Sequence, residues 1–542
     1  MTLKGSGAMF QERSTQVRCK LEKILKETIK DLFGVEIIPE VGHPPSDELG
    51  DYSTNAAFLL SEKLKKKPED IALKLAKNLQ GDIVQLATTI SGFVNIKIKK
   101  GAWIEELKGS IHPDYGKMDW GEGEKVLLEF VSANPTGPLH VASARAATFG
   151  DSLSRILESQ GFNVSREYYF NDSGSQVELL GKSIELKIKE LNGERVDYPP
   201  NTYRGDYITE LAKKAMNKKI KDYVDFGVKE ILKMQKSTLD RFRVNFDEWI
   251  SESELKKNGM ADKIIKDLHE LKPSVLVKKE GALWFTAGDR ERVFIRSDNS
   301  YTYVVPDIAY HRYKFNRGYD VLIDLLGPDH IDHIPELKES LELLGYPVGN
   351  LEVKIIQWIT LKRGKETIKM SKRSGEFITI DELIKEVGVD AARFFFLLRK
   401  SSVPMDFDLE LAKEQSERNP VYYIQYGHAR ISSLLDLAKY KGYSVNLPEN
   451  LDLLSKEEEL KLIRKIPEFK EALEDSAKMR EPHILAYYLL DLSKLYHNFY
   501  QSHRIIGGEE ELILPRLFLS NSVRNVVARG LSLLGVSAPE RM

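Results

Sequence analysis

One cysteine in 542 residues, Cys19, excludes an intramolecular disulfide and any zinc site assembled from several cysteines. No stretch approaches the roughly 18 uninterrupted apolar residues of a membrane helix. The start, Met1-Thr-Leu-Lys-Gly-Ser-Gly-Ala-Met9, lacks the apolar core of a signal peptide. A soluble, cytoplasmic chain with no membrane partner is therefore expected. Net charge is small as well: 80 Lys and Arg against 82 Asp and Glu leave −2, so any nucleic-acid partner must be held by local basic patches. Repeats and low-complexity tracts are absent. What remains is an ordinary globular composition, 42% hydrophobic, at a length suited to roughly three or four domains.

Residues 1–110 read as a small α/β domain. Val17, Leu21, Ile24, Leu25 and Ile29 give residues 11–33 a helical period, and Pro68 opens a second helix with acids in its first turn. Residues 83–90 and 93–99 read as strands, the second strictly alternating. The cluster Lys63, Lys65, Lys66, Lys67 fits a solvated face or a phosphate-tracking patch. From about Trp120, candidate strands at 126–131, 164–170, 321–326 and 351–359 alternate with helical patterns at 141–160 and 334–344, which predicts a doubly wound, Rossmann-like parallel sheet. The polar, Lys-rich residues 176–243 interrupt it as a mostly helical insertion. Beyond Asp408 only helical patterns occur, among them 451–469 and 482–500. The expected division is 1–110, 118–405 and 408–542, the last all-α.

Two segments carry chemistry. In Lys369-Met-Ser-Lys-Arg-Ser-Gly375 two lysines three apart lie in a glycine-bounded basic loop, which fits a clamp on a triphosphate's leaving group or a solvated flap. In Glu129-Phe-Val-Ser-Ala-Asn-Pro-Thr-Gly-Pro-Leu-His140 a strand feeds a turn cluster and then a helix, an arrangement that offers backbone N–H groups to phosphate. His140 at that entrance is a helix cap or a phosphate donor.

In these blocks the chain resembles the arginyl-tRNA synthetases, a class I aminoacyl-tRNA synthetase family. The resemblance extends to Gly50-Asp-Tyr-Ser-Thr-Asn55, Gly92-Phe-Val-Asn95, Glu167-Tyr-Tyr-Phe-Asn-Asp-Ser-Gly174, Tyr203-Arg-Gly-Asp-Tyr207, Gly388-Val-Asp-Ala-Ala-Arg-Phe-Phe-Phe396 and Gly535-Val-Ser-Ala-Pro-Glu-Arg-Met542. One departure stands out: the family signature His-x-Gly-His reads His140-Val-Ala-Ser143 here.

The resemblance implies that L-arginine is activated with ATP to arginyl-adenylate and then moved to the 3′ end of its tRNA. His140, Ala142, Ser143, Lys369, Met370, Ser371 and Lys372 would serve ATP, with His140, Ser143, Lys369 and Lys372 acting on the reacting phosphates. Mg²⁺ would bridge phosphate oxygens; zinc is not implied. Because a guanidinium is always charged, its pocket needs carboxylates. By resemblance Asp307 and Tyr303 hold that group, Glu129, Ser132 and Asn134 hold the amino-acid end or order the pocket, and His330 is a substrate or nucleotide contact. Phe93 and Asn95 would meet the tRNA elbow from the N-terminal domain. Tyr426, Arg430 and Met542 would meet the anticodon from the helical domain. The protein is expected to act as a monomer. The rivals are another class I synthetase, for glutamate or cysteine, and a catalytically impaired relative acting as an RNA-binding or regulatory protein, to which the altered signature would point.

Overall fold

The computed structural model describes residues 17–218, 220–287, 290–368 and 378–542. Lys369, Met370, Ser371 and Lys372 therefore lie outside the described residues.

At the N-terminus a helix, Val17–Phe33, buries Val17, Leu21, Leu25 and Ile29, the stripe its periodicity predicts. It accompanies an antiparallel sheet of β1 (Val41–Gly42), β2 (Tyr52–Thr54), β3 (Val84–Ile90) and β4 (Phe93–Ile98), in the order β1-β2-β4-β3. Helices Ala56–Leu64 and Pro68–Asn78 pack on β3 and β4.

The central sheet begins with β5 (Lys125–Glu129), β6 (Asn163–Phe170) and β7 (Glu248–Ser251). Between β6 and β7 stands the helical insertion, Ser175–Leu191, Asp206–Lys218 and Tyr223–Arg241. An antiparallel meander follows, β8 (Leu276–Lys279), β9 (Ala282–Ala287) and β10 (Arg290–Ile295), which the apolar pattern alone did not reveal. Then come β11 (Val321–Leu326) and β12 (Leu351–Ile355). The five core strands run parallel in the order β12-β11-β5-β6-β7, so the chain reverses its direction of travel across the sheet between β5 and β11. In such sheets ligands bind beyond the carboxyl ends of the strands at that switch point.

The expected strand over 351–359 is two strands. Past β12 the chain leaves the large sheet and enters a small one, β13 (Ile359–Arg363), β14 (Glu366–Thr367) and β15 (Met405–Asp408), ordered β14-β13-β15.

Three helices position the centre: α1 (Val141–Ser159) after β5, α2 (Val304–Asn316) before β11, and α3 (Val389–Phe396) before the last strand. The C-terminal part is helical, and its long members α4 (Pro420–Tyr440), α5 (His483–Ser502) and α6 (Glu510–Leu533) pack on one another.

Candidate active site

Parallel strands buried on both faces ordinarily read as unbroken apolar runs. Here three central strands are each interrupted by an acid at one level. Asp324 of β11 pairs in register with Glu129 of β5, Glu129 with Glu167 of β6, and Glu167 with Glu248 of β7. In-register neighbours point to the same face, so four carboxylates stand side by side. Repulsion would open the sheet there unless cations covered it.

Helix α2 and the residue that caps it supply them. His311, Lys314 and Arg317 recur at the spacing of one helix face. The Lys314 ammonium, fully buried, bridges Glu129 and Asp324, lying 2.7 Å from Asp324 Oδ1. Arg317 bridges Glu167 and Glu248, and Tyr310 donates to Glu167 at 2.5 Å. His311 Nε2 stands 2.7 Å from Asp324 Oδ2, while its Nδ1 is 2.8 Å from the Asp307 carbonyl oxygen and 3.1 Å from Asp307 Oδ1. Burial alone would lower the His311 pKa, but Asp307 and Asp324 outweigh it and raise it to about 10, so the ring is an imidazolium at neutral pH. Burial likewise works against ionised Asp324 and is overcome by Lys314 and His311, which hold its carboxyl well below the usual range. For Glu129 burial pushes the carboxyl up and Lys314 pulls it back.

The chain of charges ends at two carboxylates. Glu129 closes β5 and accepts from Ser132 Oγ at 2.7 Å; Ser132 Oγ accepts in turn from the Tyr169 N–H at 3.2 Å. Val131 and Ser132 adopt φ of +70° and +42°, a left-handed pair uncommon for such residues and the kind of local cost found where a site fixes its backbone. Asp307 sits in the first turn of α2 with its side chain 26% exposed; Oδ1 faces His311, and Oδ2 lies 3.7 Å from His333 Nε2. Burial leads the lowering of the His333 pKa, against the pull of Asp307. Tyr303, at the start of α2, has its ring 5.1 Å from His333, which brings Tyr303 and Asp307 to one place. Asn134 is exposed and donates to Gln176 at 2.9 Å.

Besides His311 and Lys314, three side chains at this site had escaped sequence reading. His333, not His330, approaches Asp307; His330 is one step farther out, its ring 5.4 Å from that of His333. The short 3₁₀ helix Pro328–His333 turns the later histidine inward. Tyr169 stacks on Tyr310 at 4.4 Å. Its hydroxyl pKa is raised by burial, then by Glu252, Asp307 and Glu129, so three carboxylates surround one phenol. Glu252, 8% exposed at the start of the helix after β7, is the third of these.

At the nucleotide end the expectation of open backbone donors is corrected. Of the first four N–H groups of α1, that of Val141 donates to Ile378 at 3.1 Å, and those of Ser143 and Ala144 donate to the His140 carbonyl at 2.9 and 3.3 Å. His140 is the N-cap, Ala142 is half-buried and Ser143 is 8% exposed. Arg145, 1% exposed, fixes this helix start by donating to the carbonyls of Gln357, Lys400 and Val403 at 2.7, 2.9 and 2.9 Å. His140 also bridges Thr379, and Ile380 N–H donates to Leu139 at 2.9 Å, so residues 378–380 lie against the helix start. Among the described residues no group of three or more His, Cys, Asp or Glu could hold a metal ion. Mg²⁺ carried on a triphosphate needs no such group, because phosphates and water complete its shell.

Family models match three consecutive parts of the chain: an arginyl-tRNA synthetase N-terminal domain over residues 19–98, a class I (R) tRNA synthetase catalytic domain over 111–400, and a DALR anticodon-binding domain over 424–542. The arginine–tRNA ligase of Carboxydothermus hydrogenoformans is 41% identical across 94% of this chain and 95% of its own. That of Aquifex aeolicus is 39% identical across 96% and 99%. The chain belongs to the arginyl-tRNA synthetase family. A Campylobacter jejuni structure described as a putative arginyl-tRNA synthetase is 33% identical, with a TM-score of 0.75 over 82% of this chain and all of that one. The Thermus thermophilus arginyl-tRNA synthetase, 23% identical, shares the fold at a TM-score of 0.79 over 97% of this chain and all of that one.

The outer surfaces fit the family expectation unevenly. Phe93 is 44% exposed, edge-on to Phe58 at 4.9 Å. Asn95 is only 3% exposed, because β4 is an inner strand and Ser53 and Thr88 flank that position. A direct base contact by its amide is thus not open. Arg430 lies 4.6 Å over the Tyr426 ring and donates to its hydroxyl at 3.0 Å; Tyr426 in turn stacks on Tyr422 and His497. Met542 is 55% exposed.

Proposed function

We propose that the two carboxylates ending the buried charge chain hold the two cationic ends of the substrate, while the His140 corner and the basic segment act on ATP. As a member of its family the enzyme is an arginine–tRNA ligase. An oxygen of the arginine carboxylate attacks the α-phosphorus of ATP, the bond to the bridging oxygen breaks, and pyrophosphate leaves. The terminal adenosine hydroxyl of tRNA then attacks the activated carbonyl and AMP departs. No protein nucleophile is required, so positioning and charge neutralisation carry the rate.

Asp307 takes the guanidinium, with Tyr303 and Glu252 beside it. Glu129, Ser132 and Asn134 order the α-amino end, and Tyr169 lies between the two groups. His140 and Ser143 contact phosphate, Ala142 lies against the nucleotide, and Lys369 and Lys372, with Met370 and Ser371 between them, follow the departing pyrophosphate. Mg²⁺ bound to ATP would neutralise phosphate charge. His330 is left an outer contact. Residues 1–110 engage the tRNA elbow through Phe93, 118–405 catalyse, and 408–542 read the anticodon through Tyr426, Arg430 and the end at Met542. We place a monomeric enzyme in the cytoplasm; no described helix is long and apolar enough to cross a membrane.

The observation that carries the pocket assignment is Asp307: a carboxylate at the switch point, 26% exposed, whose Oδ2 lies 3.7 Å from His333 Nε2 and has no hydrogen-bond partner among the described residues. Charging of purified tRNA with arginine by wild type and Asp307→Ala tests it, and an arginine KM changed less than about threefold would overturn it.

A further inference from the structure

The substrate groups are assigned to Glu129 and Asp307, yet neither carboxylate is held by its own element alone. Glu129 is on β5 and Asp307 on α2. Between them runs one unbroken sequence of opposite charges, Glu129, Lys314, Asp324, His311 and Asp307, with a contact at every step. The three inner members are 0%, 1% and 3% exposed, so they touch no solvent and no ligand. Of the outer two, Asp307 is 26% exposed, and Glu129, 5% exposed, closes the chain at the end of β5. His311 and Lys314 sit on the same helix as Asp307, four and seven positions on, and each bonds a strand acid or joins two of them. Rotation or sliding of α2 by even part of a turn would break three buried ion contacts together.

We infer that His311 and Lys314 are positioning residues for substrate selection: by locking α2 onto the acidic row of the sheet they fix the separation between Asp307 and Glu129, and so the length of the cationic amino acid the site accepts. This rests on the reading that Asp307 and Glu129 hold opposite ends of arginine. The chemistry of discrimination follows. A substrate one methylene longer, such as homoarginine, presents the same guanidinium and the same α-amino group at the wrong spacing, and lysine presents a point charge that lacks the planar fork. A hydrophobic pocket discriminates a methylene only weakly, by about 10- to 200-fold, so a rigid spacing between two charged anchors adds what packing alone does not.

His311 donates in two directions, and two amides separate them. Asn places its NH₂ near the Nδ1 position, toward Asp307; Gln places it near the Nε2 position, toward Asp324. His311→Asn therefore keeps the contact to Asp307 and gives up the sheet, and His311→Gln does the reverse. The experiment measures tRNA-dependent charging with arginine and homoarginine for wild type, His311→Gln, His311→Asn, Lys314→Arg and Asp307→Asn, with melting temperature and tRNA affinity recorded for each. His311→Asn is expected to raise the arginine KM about tenfold or more, the scale for one hydrogen bond to a charged group, with kcat at saturating arginine within about threefold. The preference for arginine over homoarginine should fall by a similar factor. His311→Gln, which keeps α2 locked to the sheet, should show the smaller change in that preference. Should His311→Asn fail to fold, Lys314→Arg carries the test through the same preference ratio. An Asp307→Asn enzyme with unchanged arginine KM would overturn the pocket reading and this inference with it. A raised KM in Asp307→Asn beside unchanged KM and unchanged preference in the His311 and Lys314 variants would overturn this inference alone.

Discussion

Two buried ion clusters in this enzyme look alike by distance and differ in what they leave over. At the junction of the catalytic and helical parts, Arg393 of α3 is fully buried. It donates to Asp151, to the Phe242 carbonyl at 3.0 Å, and twice to the Leu534 carbonyl, at 3.1 and 3.2 Å. Asp151 also accepts from Arg155 at 2.8 Å. Nearby Asp390 accepts from Arg243, Gln425 and the Ser537 N–H at 2.6, 2.9 and 3.1 Å. Each partner there is protein, and it ties three distant chain segments together. At the switch point of the sheet the charge chain ends instead at Asp307, whose second oxygen has no hydrogen-bond partner among the described residues. A saturated buried charge is architecture; one with an acceptor left over at the carboxyl end of a parallel sheet is a place for a ligand.

The comparison breaks most sharply under one substitution in each cluster. Arg393→Ala leaves Asp151 buried with a single, peripheral cation, and truncating one partner of a buried pair costs about 3 to 5 kcal/mol. That loss should be read in denaturant unfolding, with the arginine KM of the surviving folded enzyme unchanged. Asp307→Ala should do the opposite: lose about two to four decades in arginine binding, and leave unfolding free energy within about 1 kcal/mol. Equal stability losses in both would erase the distinction.

The next effect belongs to the altered signature. With three of four helix-start N–H groups already bonded inside the chain, His140→Ala should lower kcat for arginyl transfer by about 10²-fold, near 2.7 kcal/mol. Ser143→Ala should cost less, since a short, largely buried hydroxyl offers one weaker donor. A larger loss for Ser143→Ala in the same assay would reverse that order.

How far these clusters were legible differs for physical reasons. The strands β5 and β11 announce themselves as apolar runs, and Glu129, Tyr303 and Asp307 fall in recognisable motifs. The meander β8–β10 was hidden because Leu276-Val-Lys-Lys279 and Arg290-Glu-Arg-Val-Phe-Ile295 mix charge into short strands. Its turn was readable: Glu280 and Gly281 at φ of +52° and +76° make a two-residue hairpin loop. His311 and Lys314 were missed because charges on a helix ordinarily face water. The clue was pairwise: Asp307, His311 and Lys314 share a helix face while Glu129, Glu167 and Asp324 each break an apolar strand. Only the register of the sheet sets one row against the other.

A smaller effect sharpens the junction side. Gly535 has φ of +68°, and a Cβ built on it would lie 2.1 Å from Arg393 Nη2. Gly535→Ala should therefore cost about 1 to 3 kcal/mol in unfolding free energy through strain and displacement of that guanidinium. Arginine KM should stay at its wild-type value, and a rise would mean the two clusters communicate.

The smallest effect concerns a third contact, where the N-terminal domain meets the helical part, and it turns on pH. His43 Nε2 lies 3.1 Å from Glu471 and its Nδ1 2.9 Å from the Asp51 carbonyl. Burial works against its charge, but Glu471 and Glu468 outweigh it and raise the pKa to about 9. A histidine whose folded pKa exceeds its unfolded value near 6.5 contributes stability fully below that value and loses it as pH climbs through the folded pKa. The docking of the two parts should thus weaken between about pH 6.5 and 9. The loss is modest, because the His43 side chain is 41% exposed and Glu471 keeps Arg18 at 3.6 Å and the Tyr52 hydroxyl at 2.5 Å. Melting temperatures of wild type and His43→Gln across that window make the check. The variant should show a shallower decline with rising pH, converging on wild type near pH 9, and added salt should shrink the difference. Parallel curves at every pH would remove His43 as its source.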